Sequence, residues 1–196
     1  MIFLKHWQLK RLIRKARKEV EKREQGKQGN MQNEINVHLQ LAKIYQQLIR
    51  KPKYPNAKEL MLEYYRHAAN LGSIEAQYYF GYHKLELGKF WQAFAQDIYG
   101  QPIHQDYAKQ HYEEAFQYLN EAKKSGFAKA YRTLGLAYIH GSGVTVQKER
   151  GFQLVVESIE LDKAWDKAPE IFKKLGLNNP EFFSMMMSLK GTKPPK

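Results

Sequence analysis

Apolar residues return every three or four positions along most of the chain, and no run alternates apolar with polar residues in the manner of a half-buried strand. Leu9, Ile13, Ala16 and Val20, broadened by Ile2, Phe3, Leu4, Trp7 and Leu12, draw one stripe. That stripe predicts an amphipathic helix from about residue 3 to residue 24. Gln25-Gly26-Lys27-Gln28-Gly29-Asn30 then ends it as a flexible link. From about Met31 onward Ala, Leu, Glu, Lys and Gln are plentiful, so helix is predicted almost throughout. Pro169 and Asn178-Asn179-Pro180 interrupt the last part, and Gly191-Thr192-Lys193-Pro194-Pro195-Lys196 reads as a frayed tail. The fold class expected is all-α.

The helical body repeats itself. Ala68-Ala69-Asn70-Leu71-Gly72 is echoed by Ala122-Lys123-Lys124-Ser125-Gly126, and Gly72 to Gly126, Ala76 to Ala130 and Gly81 to Gly135 are all 54 apart. Downstream, Tyr118 to Leu154, Ala122 to Ser158 and Gly126 to Asp162 are 36 apart. The difference, 54 − 36 = 18, sizes an insertion in the middle unit, placed at residues 89–105. The expected organisation is a basic helix with its linker at 1–30 and a repeat region at 31–190, before the tail at 191–196. The repeat units lie near 36–73, 74–127 and 128–163, with capping helices at 164–190.

The clearest unit has Ala128, Ala130, Leu134, Gly135 and Tyr138 on its first helix, then Gly141, Gly143 and Val144 in a loop. It resembles the Sel1-like repeat, a tetratricopeptide-type helix pair of pattern A-x-A-x-x-x-L-G-x-x-Y followed by a G-x-G-V loop. The resemblance implies an α-solenoid, a right-handed superhelix of stacked hairpins. It also implies an adaptor or scaffold role, of the kind found in bacterial envelope, secretion or host-interaction assemblies. By the same register the first helices line an inner curve, near which Tyr78, Tyr82, Arg132, Leu136 and Ile139 would hold a peptide or helix of a partner protein.

The glycines make physical sense without the family. Gly81 and Gly135 sit mid-helix, at a cost of about 1 kcal/mol against Ala, which a helix bears when a neighbouring backbone must come close. Gly141 and Gly143 supply positive φ for the reversal, and Gly72 and Gly126 end the second helices.

Charge then changes the picture. The 196 residues carry a formal +12, yet residues 1–27 alone hold ten Lys/Arg against three Glu, a net of +7. The first helix therefore opposes its apolar stripe with a strongly cationic face. That face is either simply solvated, or a tether to an anionic membrane surface or partner through Phe3, Trp7, Lys10, Arg11, Arg14, Lys15, Arg17 and Lys18. Nucleic-acid association is the alternative use of the same charge.

There is no cysteine, which excludes disulfide scaffolds, thiolate metal sites and a cysteine nucleophile. No apolar run reaches the ~18 residues of a membrane span, and no secretory leader is read at the N-terminus. A cytoplasmic protein, peripheral to the inner face of a membrane, is the expectation. His104, Asp106 and His111 form the densest cluster of potential metal ligands, but no H-E-x-x-H pair, phosphate loop or nucleophile elbow accompanies them. No cofactor and no enzymatic activity are expected. The aromatics Phe90, Trp91, Phe94 and Tyr99 exceed what a short connection can bury and suggest a partner anchor in the insertion. The ranking that results is scaffold first, nucleic-acid binder second, enzyme last.

Overall fold

The computed structural model describes residues 2–25, 30–177 and 179–191, and among these all regular structure is helical. The chain divides into two compact units, residues 1–83 and 84–196, with the division falling inside one helix.

The first unit contains α1 (Ile2–Glu24), α2 (Met31–Leu48), α3 (Ala57–Asn70) and the beginning of α4 (Ile74–Ala95). Asn30 caps α2, its side-chain oxygen accepting from the Asn33 N–H at 3.2 Å. Val37, Leu41, Ala42, Tyr45 and Leu48 return along one face of α2 and are buried, as are Met61, Tyr65 and Ala68 on α3. Part of the apolar stripe of α1 is spent in the same way. Leu9 and Ala16 are buried and α1 packs on α2. Arg23 near the end of α1 reaches 3.3 Å from the buried carboxylate of Glu34 on α2, which fixes the register of the pair. The side chain of Phe3 and all of residues 26–29 lie outside the described set.

Beside Glu34 sits His38, buried between the rings of Tyr64 at 5.7 Å and His67 at 5.3 Å. Its Nδ1 has no hydrogen-bond partner, and its Nε2 is 3.8 Å from Glu34 Oε1. Burial, with the nearby His67 and Arg23, lowers its pKa to about 4.

The second unit contains the rest of α4, then α5 (Pro102–Lys124), α6 (Ala128–His140), α7 (Lys148–Leu161), a short 3₁₀ turn at Trp165–Lys167, α8 (Ala168–Lys174) and α9 (Pro180–Gly191). Phe152 is stacked between Phe172 at 5.3 Å and Phe182 at 5.8 Å, in a core shared with Ile139, Val155, Ile159 and Leu177. Helices α6 and α7 meet backbone to backbone. A Cβ built on Gly135 would lie 2.6 Å from the carbonyl oxygen of Gly151, and one on Gly151 would collide with the carbonyl of Gly135. The close approach expected at Gly135 is therefore present, and Gly151 is its counterpart.

Five described helix ends carry the same long bond; two of them, Ser142 N–H to Ala137 O at 2.9 Å and Leu177 N–H to Phe172 O at 2.8 Å, close α6 and α8, and the other three close α3, α5 and α7. Ser73 N–H donates to Ala68 O at 3.0 Å, Phe127 N–H to Ala122 O at 3.1 Å, and Ala164 N–H to Ile159 O at 2.9 Å, the long bond of a Schellman turn. The residue before each of these three donors has positive φ: Gly72 at +90°, Gly126 at +75° and Lys163 at +50°. The first spacing is 54, as expected, but the second is 164 − 127 = 37, not 36. Buried triplets at i, i+4, i+7 agree with it: Met61, Tyr65, Ala68; Ala115, Leu119, Ala122; Phe152, Val156, Ile159. The extra length of the middle unit is thus 54 − 37 = 17 residues. The sequence pairing missed by one because the left-handed position fell to Lys163, whose side chain does not advertise it. Nor does the insertion form a separate connection. Residues 89–95 continue α4, residues 102–105 begin α5, and only 96–101 turn the chain.

Three glycine-related variants separate these effects in chemical denaturation. Gly135→Ala loses about 2–3 kcal/mol by overpacking, although Ala is the better helix former. Gly72→Ala meets no neighbour and loses about 1 kcal/mol through its backbone angle. Lys163→Gly relieves that same strain and gains about 0.5–1 kcal/mol.

His38 sets a pH dependence. Its folded pKa lies below the unfolded value of about 6.5, so its contribution to stability is complete above that value and declines as pH falls toward 4. About 3 kcal/mol is lost across this window. His38→Leu flattens the slope in urea titrations run between those two pH values.

Candidate functional site

Two surfaces stand out, one in each unit. In the second unit α4 and α5 form an antiparallel hairpin, started on the α5 side by Pro102 and by His104, whose Nδ1 accepts the Gln101 backbone N–H at 3.0 Å. Small residues let the two helices close. The ring of Tyr112 lies where a Cβ on Gly88 would be, 2.7 Å from its Cδ1, and a Cβ on Gly143 would strike the same ring. The Tyr112 hydroxyl donates to Gln92 Oε1, and burial raises its pKa. Lys84 ties the base of the hairpin to Glu114.

Beyond that support the hairpin tip is aromatic. Trp91 packs against His104 at 5.4 Å and Tyr107 at 5.2 Å, Phe94 against His104 at 4.8 Å, and Phe90 against Trp91 at 5.3 Å. The cluster is largely open to solvent, with Phe90 58%, Ile98 88% and Tyr99 73% exposed. From Phe90 to Ala108 there is no Lys or Arg, while Asp97 and Asp106 bring −2 to a chain whose net charge is +12. A groove of about 580 Å³ runs alongside, lined by Gln92, Ala95, Ala108, Tyr112, Phe116 and Val144. The structure thus brings Phe90, Trp91 and Phe94 together, with Tyr99 in the turn that follows. Tyr107, Ile98 and Ile103 also belong to the tip and were not picked out from sequence. Reading α5 back to Pro102 as helix would have found Ile103 and Tyr107, whereas Ile98 lies in the turn before it.

In the first unit α1 and α2 border a groove of about 880 Å³. Lys10, Arg11, Arg14, Lys15 and Lys18 line it from α1, and Lys43 lines it from α2. Half-buried Leu12 and Ile44 face the same space. Trp7, 62% exposed, lies at its edge with the Arg11 guanidinium 5.7 Å from its ring centroid. Lys43 is paired to Glu75 at 2.8 Å. Among the described residues Lys10, Arg14, Lys15 and Lys18 have no acidic partner, and no acid lines the groove. Arg17 is exposed but does not border it.

The residues expected on an inner curve fare differently. Tyr78 and Tyr82, in the first unit, stack at 6.1 Å, and Tyr82 is exposed. In the second unit Arg132 is committed internally: its Nε donates to Ser158 Oγ at 3.0 Å and its guanidinium pairs with Asp162, joining α6 to the end of α7. Ile139 is 5% exposed within the Phe152 core, and Leu136 packs against that core. Arg132 and Ile139 are therefore removed from the set of contact residues. Their spacing matched a surface, but the partners across α7 claim them.

His104 and His111 do not converge. The first caps α5 and packs on Trp91, and the second lies 3.5 Å from Lys84 Nζ. Among the described residues no three potential ligands cluster. No described helix is long and apolar enough to cross a membrane.

No protein-family model and no curated protein matches the chain. The surfaces must speak for themselves.

Removing exposed tip rings should leave the fold intact. Phe90→Ser and Tyr99→Ser shift the unfolding free energy by less than about 0.5 kcal/mol and lower the binding of a hydrophobic dye. Trp91→Ser, which strips ring contacts with Phe90, Phe94, His104 and Tyr107, costs about 1–2 kcal/mol in the same assay.

Proposed function

We propose that this chain is a non-enzymatic scaffold that docks a partner protein through the aromatic tip of the α4–α5 hairpin. The exposed tip carries the reading. Large rings stand in water on a rigid two-helix support, in a segment without cations, and such rings supply most of the binding energy where proteins meet. An aromatic side chain left this open is costly to keep unless something covers it.

The architecture that suits this role is the Sel1-like, tetratricopeptide-type solenoid, hairpins stacked as a right-handed superhelix. Equal helix ends at Gly72, Gly126 and Lys163 and the glycine contact between α6 and α7 support it. Tyr78 and Tyr82 remain as candidate contacts for a peptide or helix on an inner face. By analogy with that repeat type the protein would serve a bacterial envelope, secretion or host-interaction assembly, working in the cytoplasm at the inner face of a membrane to which α1 tethers it.

Capture experiments with the full chain decide between this and nucleic-acid association. A directly bound protein should be retained at about 0.3 M salt and after nuclease treatment, and lost on Trp91→Ala or Tyr99→Ala by about 30-fold in affinity. Retention that vanishes with nuclease, or that ignores both substitutions, overturns the reading.

A further inference from the structure

We propose that the α1–α2 groove seats the headgroup of an anionic phospholipid, so that the protein adsorbs to a membrane without inserting a helix. This deepens the tether reading of α1 and rests on it. An amphipathic helix ordinarily binds a bilayer by burying its apolar face among the acyl chains. Here part of that face is already used, because Leu9 and Ala16 are buried where α1 packs on α2 and Arg23 is held by Glu34. Along this groove the described side chains of α1 present mostly charge, with one aromatic ring, Trp7.

The arrangement of that charge is specific. Lys10, Arg14 and Lys18 follow one another at i, i+4, so their rungs are about 6 Å apart along the axis. Arg11 and Lys15 flank them, and none of Lys10, Arg14, Lys15 or Lys18 has an acid to neutralise it among the described residues. Phosphate oxygens are the natural counterpart. The rest of the lining distinguishes which phosphate. Leu12 and Ile44 add an apolar wall, suited to a glycerol and the first methylenes of an acyl chain, while Trp7 lies where an indole meets the headgroup layer. A single strand of nucleic acid wants a succession of aromatic platforms, and among the described residues Trp7 is the one aromatic lining this groove. The volume, about 880 Å³, falls within the size of ordinary ligand sites.

The test is co-sedimentation of the full chain with vesicles of phosphatidylcholine alone, and with vesicles in which about one lipid in three is phosphatidylglycerol, at about 0.1 M salt. A labelled single-stranded oligonucleotide is titrated in parallel. Binding to the anionic vesicles only is expected. The triple variant Lys10→Gln/Arg14→Gln/Lys18→Gln should lose about 100-fold, near fivefold for each cation removed. Trp7→Ala should weaken binding several-fold at unchanged salt dependence. The control Lys167→Gln/Lys173→Gln/Lys174→Gln removes the same charge from exposed positions of the second unit and should change binding less than about threefold. Unchanged helical circular dichroism in all variants shows that the fold is kept. Equal losses in both triple variants overturn the groove and leave only a net-charge effect. Tight binding of the oligonucleotide but not of vesicles overturns the lipid assignment. If wild-type protein binds neither, the tether reading fails as well, whereas vesicle binding that ignores the groove variants sinks this proposal alone.

Discussion

Helices α6 and α7 approach so closely that the carbonyl oxygens of Gly135 and Gly151 occupy the space where each other's Cβ would be. This contact governs much of the second unit. It draws Ile139, Phe152, Val155 and Ile159 into one close-packed cluster, against which α8 and α9 place Phe172 and Phe182. It also brings Arg132 within reach of Ser158 and Asp162, which hold its half-buried side chain between α6 and the end of α7. The hairpin of α4 and α5 depends on a related device, in which glycine makes room for the ring of Tyr112. A rigid base of this kind is what allows the far end of the hairpin to hold bulky rings in water without collapsing onto them.

The first unit is built on a different constraint, the docking of a cationic helix. Buried Leu9 and Ala16 and an ion pair between exposed Arg23 and buried Glu34 attach α1 to α2, and this turns the basic face outward along a groove. Mutual repulsion among Lys10, Arg14, Lys15 and Lys18 opposes the arrangement, and packing of Leu9 and Ala16 offsets it. Charge that is concentrated at a structural cost, with no ion pair to Lys10, Arg14, Lys15 or Lys18 among the described residues, is a reason to look for an anionic ligand. The same docking takes Leu9 and Ala16 out of the apolar face that an amphipathic helix would otherwise offer a bilayer. The cations with Trp7 and the Trp91 cluster are therefore two distinct surfaces, one in each unit.

Much of this was legible in the chain as written. The period of the apolar residues marked the helices, including the reach of α1 to within a residue or so of its observed ends. Gly135 announced a close backbone approach, and the 54-residue echo located two equivalent helix ends. Phe90, Trp91, Phe94 and Tyr99 drew notice because a short connection cannot bury them, and three of them share one cluster. What escaped was whatever depended on a residue of no special type. Lys163 took a left-handed angle that glycine takes elsewhere, so the second spacing was off by one. Pro102 was read inside a connection, although it starts α5 and brings Ile103 and Tyr107 to the tip.

By itself the sequence determined the helical class, the amphipathic faces and the positions where only glycine fits, because each follows from local periodicity and backbone sterics. Which faces remain exposed was decided by the tertiary structure. Ile139 reads as surface by spacing and is buried against α7, and Arg132 is drawn half-buried onto Ser158 and Asp162. Of the open uses of the α1 stripe, the packing on α2 accounts for Leu9 and Ala16. Burial is a property of pairs of elements, and the apolar face that one helix offers does not say which neighbour will claim it.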